Sequence, residues 1–180
     1  LGSYLMGSIP FGFLLTKVFL KKDIRDIGSG NIGATNVLRT GSKLIGYTTL
    51  VLDILKAVIP ILFIKLNYPD FIYIASLSAF LGHVFPIWLK FKGGKGVATY
   101  IGILFSINAA YGFIFIISWI IIFLISKYSS LSSVIASLMI PVYLLLFKGT
   151  NYVFFGIIFV LILYTHRENV KRLKNKEESK

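Results

Sequence analysis

Lys92-Gly93-Gly94-Lys95-Gly96 lies between two long apolar stretches. Glycines let a backbone turn tightly and aim N–H groups at one point. Two lysines add positive charge there. The apolar run from Val97 supplies a helix N-terminus, which also attracts anions. The chemistry this pattern suits is binding of a phosphate-type anion beside lipid. The spacing is not the G-x-x-x-x-G-K-[ST] of nucleotide loops, and nothing after Lys95 would hold magnesium in that manner. A basic anchor with a tight turn would explain the lysines. It would not explain glycine at 93, 94 and 96.

A second polar stretch runs from Gly28 to Arg39, Gly-Ser-Gly-Asn-Ile-Gly-Ala-Thr-Asn-Val-Leu-Arg. If Ser29 or Asn31 caps a short helix, its first N–H groups face an anion. Asn31, Thr35 and Arg39 are spaced i, i+4, i+8 and would share one helix face, with Arg39 as a guanidinium suited to phosphate. The plain alternative is a glycine-rich turn with an ordinary cap. A third stretch, His166-Arg167-Glu168-Asn169-Val170-Lys171-Arg172, follows the last apolar run. On a helix His166, Asn169 and Arg172 face roughly one way. His166 can bind a phosphate or shuttle a proton. Equally, basic residues at a helix end simply complement its dipole.

The elements that position these motifs are membrane helices. Of the 180 residues 56% are hydrophobic, and the mean hydropathy is +0.82. No soluble domain of this length covers so much apolar side chain. The formal charge of +12 does not point to nucleic acid, because Lys and Arg cluster at the ends of apolar runs. Cysteine is absent, which removes disulfides and a thiol nucleophile. The first apolar stretch is read as a span rather than a leader, since no positive region precedes it.

Candidate spans are roughly 1–20, 44–64, 71–89, 97–126, 131–147 and 151–165, against the roughly 20 apolar residues a crossing needs. The fourth is too long for one crossing, and Asn108 to Gly112 is the place to break it. Three basic clusters, 21–43, 90–95 and 167–180, are expected in the cytoplasm by the positive-inside rule. That requires an even number of crossings after Lys95. The expected architecture is an all-α integral membrane protein of about seven helices, N-terminus outside and C-terminus cytoplasmic. Five crossings remain open if 131–165 contains a re-entrant piece. Residues 1–166 form one transmembrane domain and 167–180 a basic cytoplasmic tail. Within the spans, Asp53 and Lys56 are expected to pair or to line a polar cavity, and His83 to be a hydrogen-bonded structural residue.

No metal-ligand set, acyltransferase-style His-x4-Asp dyad or G-x-S-x-G elbow is present, so no metal or other cofactor is called for. The residues alone also allow a transporter for an organic phosphate, or a scaffold that binds anionic lipid.

The three motifs, in this order and membrane setting, resemble the bacterial acyl-phosphate:glycerol-3-phosphate acyltransferases of the PlsY family over essentially the whole chain. The resemblance implies a seven-helix enzyme of the bacterial cytoplasmic membrane with its site on the cytoplasmic side. It implies acyl transfer from acyl phosphate to the 1-hydroxyl of glycerol-3-phosphate, giving lysophosphatidic acid and phosphate. The partners implied are these two substrates, membrane lipid and the enzyme that makes acyl phosphate. Ser29, Arg39, Lys95, His166 and Asn169 are implied as catalytic. Asn31, Thr35, Asn36, Gly93, Gly94, Gly96, Val97, Ser133 and Arg172 are implied as substrate-binding, with Ser133 resting on the family pattern alone. An acyl phosphate has a good leaving group, so bringing two anions together and stabilising the carbonyl charge would suffice. The hydroxyl proton is expected to pass to a substrate phosphate, because no carboxylate is evident to orient His166.

Overall fold

A computed structural model describes residues 1–147 and 149–178. Lys148, Ser179 and Lys180, the last of them a member of the third basic cluster, lie outside the described residues. All regular structure described is helical, in two compact units, Leu1–Ile107 and Asn108–Lys180.

The first unit contains helices α1 (Gly2–Gly7), α2 (Phe11–Leu15), α3 (Ala34–Leu38), α4 (Lys43–Asn67), α5 (Ile72–Val84) and α6 (Val97–Ile107). The expected span 1–20 is not one helix. Pro10, which lacks an N–H, stands at the N-cap of α2, and α2 runs on into a π-helical stretch, Thr16–Leu20. The interruption leaves the Ile9 carbonyl outside any helical ladder, and Lys56 Nζ donates to it at 2.7 Å. Lys56 also pairs with Asp53 at 2.8 Å, both side chains being buried. The two expected partners do meet, and they also satisfy the broken backbone, as a membrane interior demands.

Helix α4 buries one stripe: Gly46, Thr49, Asp53, Lys56, Ala57, Pro60 and Ile61. Its other side exposes Val51, Leu55, Ile59 and Phe63. Polar side in and apolar side out suits a helix in lipid. Pro60 lies inside α4, whereas Pro86 follows the end of α5. Lys65 donates to the carbonyls of Ser106 (2.7 Å) and Ile107 (3.1 Å), placing a cation at the C-terminus of α6.

The second unit contains α7 (Ala109–Ser126), α8 (Ser129–Leu146), α9 (Tyr152–Thr165) and α10 (Arg167–Lys174). The expected break in the fourth apolar run falls at Asn108. Its backbone is extended, and its Oδ1 accepts from Ala110 N at 2.9 Å, capping α7. Helices α7 and α8 pack together, α9 packs on α8, and α10 touches both α8 and α9.

Among the described residues, three runs have the length and composition of a crossing: Pro69–Leu89, Ala109–Ser126 and Ser129–Leu146. A fourth is added if α9 and α10, bent by 58°, count together. Phe11–Leu20 and Val97–Ile107 are apolar but shorter. Helix α4 has 25 residues but carries Asp53, Lys56 and Lys65. The protein is an all-helical membrane protein.

Candidate active site

In the first unit, the loop between α2 and α4 is organised by Asn36. Its side chain is buried, and Nδ2 donates to the carbonyls of Ile24 (3.2 Å), Ile27 (2.8 Å) and Asn31 (2.8 Å). Its Oδ1 accepts from Ser29 N at 2.9 Å. A single amide thus ties three carbonyls and one N–H of a glycine-rich loop, adding to the main-chain bonds that Ile24 O receives from Ile27 N and Ile27 O from Gly30 N. Asn36 acts on the loop, holding Ser29 exposed at its surface.

Beneath the loop, Ile24, Ile32, Val37 and Leu89 form an apolar cluster with Phe13, Ile27 and Ile45 packed on it. Leu89 precedes the glycine loop by three residues, so the first two motifs share one anchor. The expected common face of Asn31, Thr35 and Arg39 is not formed as such. Helix α3 begins only at Ala34, and Asn31 lies before it, its Oδ1 accepting from Gly33 N at 2.8 Å. Thr35 and Arg39 are exposed, and Arg39 folds back over Gly28. Asp23 accepts from Arg25 through side chain and backbone, which holds its carboxyl at about 2.

The glycine loop departs in detail from the expected cradle. Gly93 N donates to Val84 O and Gly94 N to His83 O, both at 3.1 Å. These N–H groups pin the loop to the end of α5. The glycines serve close approach: a methyl on Gly94 would overlap the His83 imidazole, and one on Gly93 would overlap the His83 carbonyl and Pro86. Gly96 has φ +83°, and a methyl there would meet the Phe80 ring. The N–H groups that remain for an anion are those at the start of α6, from Gly96 and Val97 onward. Helix geometry gives them no partner four residues back. Lys95 stands half-buried beside them. His83 is buried, and its Nδ1 lies 3.9 Å from Asp53 Oδ1.

An apolar cavity of about 340 Å³ lies in the same unit, lined by Ile9, Pro10, Phe13, Leu14, Trp88 and Leu89.

In the second unit, His166 sits at the bend between α9 and α10 and is buried. Its Nδ1 lies 2.8 Å from the Ile162 carbonyl. A carbonyl only accepts, so Nδ1 carries the hydrogen. In the neutral ring Nε2 then holds the lone pair. The orienting group that no carboxylate supplies is therefore a main-chain carbonyl. Asn169, also buried, and Arg172 point at one acceptor, Glu178. Asn169 Nδ2 donates to Oε1 at 2.6 Å and Arg172 Nε to Oε2 at 2.7 Å. Ser130 Oγ donates to Oε1 at 2.8 Å. Burial pushes the Glu178 carboxyl up, but these hydrogen bonds and the Arg172 charge outweigh it and hold it below its ordinary value. Ser133 is engaged elsewhere: it accepts from Trp119 Nε1 at 3.0 Å and donates to Ser129 O at 2.8 Å. The structure thus groups Ser29, Arg39 and the glycine loop in one unit, and His166, Asn169 and Arg172 in the other. Glu178 and the Ile162 carbonyl are the participants that sequence reasoning misses, and of the serines at 129, 130, 132 and 133 it is Ser130 that reaches Glu178. Serine at 130 is visible among its neighbours, but only coordinates select it.

The family described as glycerol-3-phosphate acyltransferase matches residues 1–176. A glycerol-3-phosphate acyltransferase of Pelagibacter ubique (strain HTCC1062) is 76% identical over 180 residues, 100% of this chain and 94% of that protein. One from Bartonella henselae (strain ATCC 49882 and its synonyms) is 49% identical, covering 99% of this chain and 88% of that protein. Among solved structures, PlsY (YgiH), an integral membrane glycerol 3-phosphate acyltransferase in its glycerol 3-phosphate form, matches with a TM-score of 0.91. Identity is 38%, with 99% of this chain and 91% of that chain covered. The lysophosphatidic acid form of the same protein matches at 0.89 with 36% identity, over 99% of this chain and 91% of that one. The resemblance carried by the three motifs and the all-helical membrane fold agree with these likenesses, and the chain belongs to the glycerol-3-phosphate acyltransferase family, as an integral membrane enzyme of phospholipid synthesis.

Proposed function

We propose that the acyl donor is an acyl phosphate and that the products are lysophosphatidic acid and inorganic phosphate. The observation that carries this reading is that each unit holds its own anion-directed group. One is the α6 N-terminus with Lys95. The other is the Ser130, Asn169 and Arg172 set that already holds a carboxylate. Two phosphate-bearing substrates need two such groups, and an acyl-CoA thioester would not call for the first in the same way.

In this reading the α6 N-terminus and Lys95 hold the acyl-phosphate group. Gly93 and Gly94 fix the loop on α5, while Gly96 and Val97 present N–H groups. Arg39 and Ser29, set by Asn36 with Asn31 and Thr35 nearby, add positive charge and a hydroxyl. His166, Asn169 and Arg172 hold glycerol-3-phosphate, and Ser133 supports them through α8. Preorganised donors in each group stabilise the anion bound there, and those at the acyl phosphate stabilise the oxyanion of the tetrahedral intermediate. The apolar cavity beside Trp88 and Leu89 receives part of the acyl chain, which enters from lipid.

The 1-hydroxyl oxygen attacks the acyl carbonyl carbon. The carbon–oxygen bond to phosphate breaks, and phosphate leaves with its electron pair. The hydroxyl proton ends on the departing phosphate. Neutral His166 accepts the hydrogen bond of the hydroxyl at Nε2 and so aligns it. No covalent acyl-enzyme and no metal is needed in this scheme.

Residues 1–166 act as one transmembrane domain crossing seven times, N-terminus outside. The basic 167–180 tail and the site lie on the cytoplasmic side of a bacterial inner membrane. That side is where a soluble enzyme that makes acyl phosphate would deliver it. The test is stoichiometry: purified protein in lipid, given palmitoyl phosphate and glycerol-3-phosphate, should release phosphate equimolar with lysophosphatidic acid. Phosphate release without lysophosphatidic acid would contradict acyl transfer from this donor.

A further inference from the structure

We propose that Asp53 is a positioning residue for the acyl-phosphate loop, acting through the imidazole of His83. The inference rests on the acyl-phosphate reading above. It gives a part in substrate binding to a buried ion pair that lies outside all three motifs.

A charged pair inside a membrane span is costly to keep, and intramembrane charges usually serve a site. The Ile9 carbonyl accepts from Lys56 and also from Phe11 N, so it does not by itself require a charged donor. The pair also faces His83. The imidazole Nδ1 lies 3.9 Å from Asp53 Oδ1, the same oxygen that Lys56 holds at 2.8 Å. The His83 and Asp53 side chains are 3% and 2% exposed, and Nδ1 has no hydrogen-bond partner among the described residues. The separation is too long for a hydrogen bond, yet in a buried setting a carboxylate orients a polar N–H across it. A carboxylate only accepts, so a neutral ring turned this way carries its hydrogen on Nδ1. A half-turn of the ring would bring Cδ2 to the carboxylate instead. Asp53 therefore selects one of two ring orientations.

The far end of the ring supports the loop. Nε2 is the atom nearest to where a Gly94 side chain would begin, followed by Cε1. The His83 carbonyl accepts from Gly94 N at 3.1 Å. His83 thus meets the loop with main chain and side chain alike, directly before Lys95. Asp53 reaches the other side of the same site through its main chain. Its carbonyl accepts from Thr99 Oγ1 at 3.4 Å, and Thr99 stands in the first turn of α6. One position on α4 therefore touches both parts of the anion group, the loop through His83 and the helix start through Thr99.

The main-chain contact survives a change of side chain at position 53, so the ring is what the carboxylate governs. A turned ring moves Gly94 and with it Lys95, and the donors no longer converge on the acyl phosphate. Glycerol-3-phosphate, held in this reading by His166, Asn169 and Arg172, is not affected.

The experiment is steady-state acyl transfer by the full chain in lipid, varying palmitoyl phosphate and glycerol-3-phosphate in turn. The proteins are wild type, Asp53→Asn/Lys56→Met, His83→Leu and the three changes together. The paired change leaves no buried charge unmatched. It should raise the KM for palmitoyl phosphate by roughly 3- to 10-fold, the scale of one weakened hydrogen bond to an anion. The KM for glycerol-3-phosphate should stay within about 2-fold of wild type. His83→Leu should act in the same way. The three changes together should raise the KM no further, because both act on one ring. A merely structural role has a different signature, since less folded enzyme lowers kcat and leaves both KM values in place. A thermal melt of each variant reads folding. If the paired change does not fold, His83→Leu, which keeps the pair, decides: an unchanged KM there overturns the proposal, since Asp53 acts only through the ring. An unchanged KM for palmitoyl phosphate in the folded paired variant, or effects that multiply in the combination, would overturn it too. Wild type making no lysophosphatidic acid from palmitoyl phosphate would instead overturn the donor reading, and the inference with it.

Discussion

The Nδ1 of His166 donates to the carbonyl of Ile162, one turn earlier in α9, at 2.8 Å. The bond fixes the tautomer, so that the neutral ring presents Nε2 as an acceptor. Two roles then separate. If His166 aligns the hydroxyl and the phosphate takes the proton, His166→Ala should lower kcat by about 10²-fold. Added imidazole should not restore it, because a free ring is not aligned by Ile162. Restoration of turnover by imidazole, with substrate binding intact, would make His166 the proton acceptor.

Gly94 and His83 are in contact where a side chain on position 94 would have to sit. Gly94→Ala should therefore displace the loop and lower kcat/KM by about 10²-fold, as misplacement by an ångström does. Shrinking the neighbour in His83→Ser/Gly94→Ala should recover part of that loss. If the double variant is no better than Gly94→Ala alone, steric contact with His83 is not what makes glycine necessary there.

Asn36 is expected to matter through its donors. In Asn36→Asp the shape is kept, but the amide nitrogen that serves three carbonyls becomes an acceptor. Ile24 O and Ile27 O keep their main-chain donors, but a buried acceptor then faces three carbonyl oxygens with no hydrogen to share, so the variant should lose about 1–3 kcal/mol of stability. A melting temperature in detergent equal to wild type would contradict this.

Asp53 and Lys56 form a buried pair, so removing one partner should cost more than removing both. Either single change, Asp53→Leu or Lys56→Met, leaves an uncompensated charge at about 3–5 kcal/mol. The double variant should fall well short of the sum, although the Ile9 carbonyl then loses the Lys56 donor and keeps Phe11 N. Additive effects on thermal stability would show that the pair is not coupled.

The pH dependence of the first loop follows from Asp23. Its carboxyl is held at about 2 by hydrogen bonds from Arg25, below the ordinary 3.8. A depressed value means that its contribution is complete above the ordinary value and is lost as pH falls through about 2. Titration of the Asp23 carboxyl carbon by NMR should have its midpoint near 2. A midpoint near 3.8 would mean that the Arg25 bonds do not persist.

Much of this molecule is legible in its sequence because lipid imposes simple rules. Long apolar runs, basic ends and an Asn before an apolar segment suffice to place the helices and the break at Asn108. The interruption at Pro10 is harder to read, since its consequence, the Ile9 carbonyl, is satisfied by Lys56, 47 positions away. The site divides similarly. The types at Ser29, Arg39, Lys95, His166 and Asn169 announce anion chemistry locally. What Gly93 and Gly94 do is not announced, because glycine permits both an open cradle and close packing. Only contact with the end of α5 shows that their N–H groups turn inward. Glu178 reads as one more charge in a polar tail. Its approach to Ser130, across 48 positions, is a tertiary fact.

The central claim is that an acyl phosphate is the donor and that the loop before α6 binds it. The most direct test is lysophosphatidic acid formation by purified protein in lipid, with glycerol-3-phosphate and either palmitoyl phosphate or palmitoyl-CoA, beside Lys95→Ala. The account predicts product from palmitoyl phosphate alone, reduced by at least about 10²-fold in Lys95→Ala, the scale of losing one preorganised donor. Product from palmitoyl-CoA at a comparable rate, or full activity of Lys95→Ala, would contradict it.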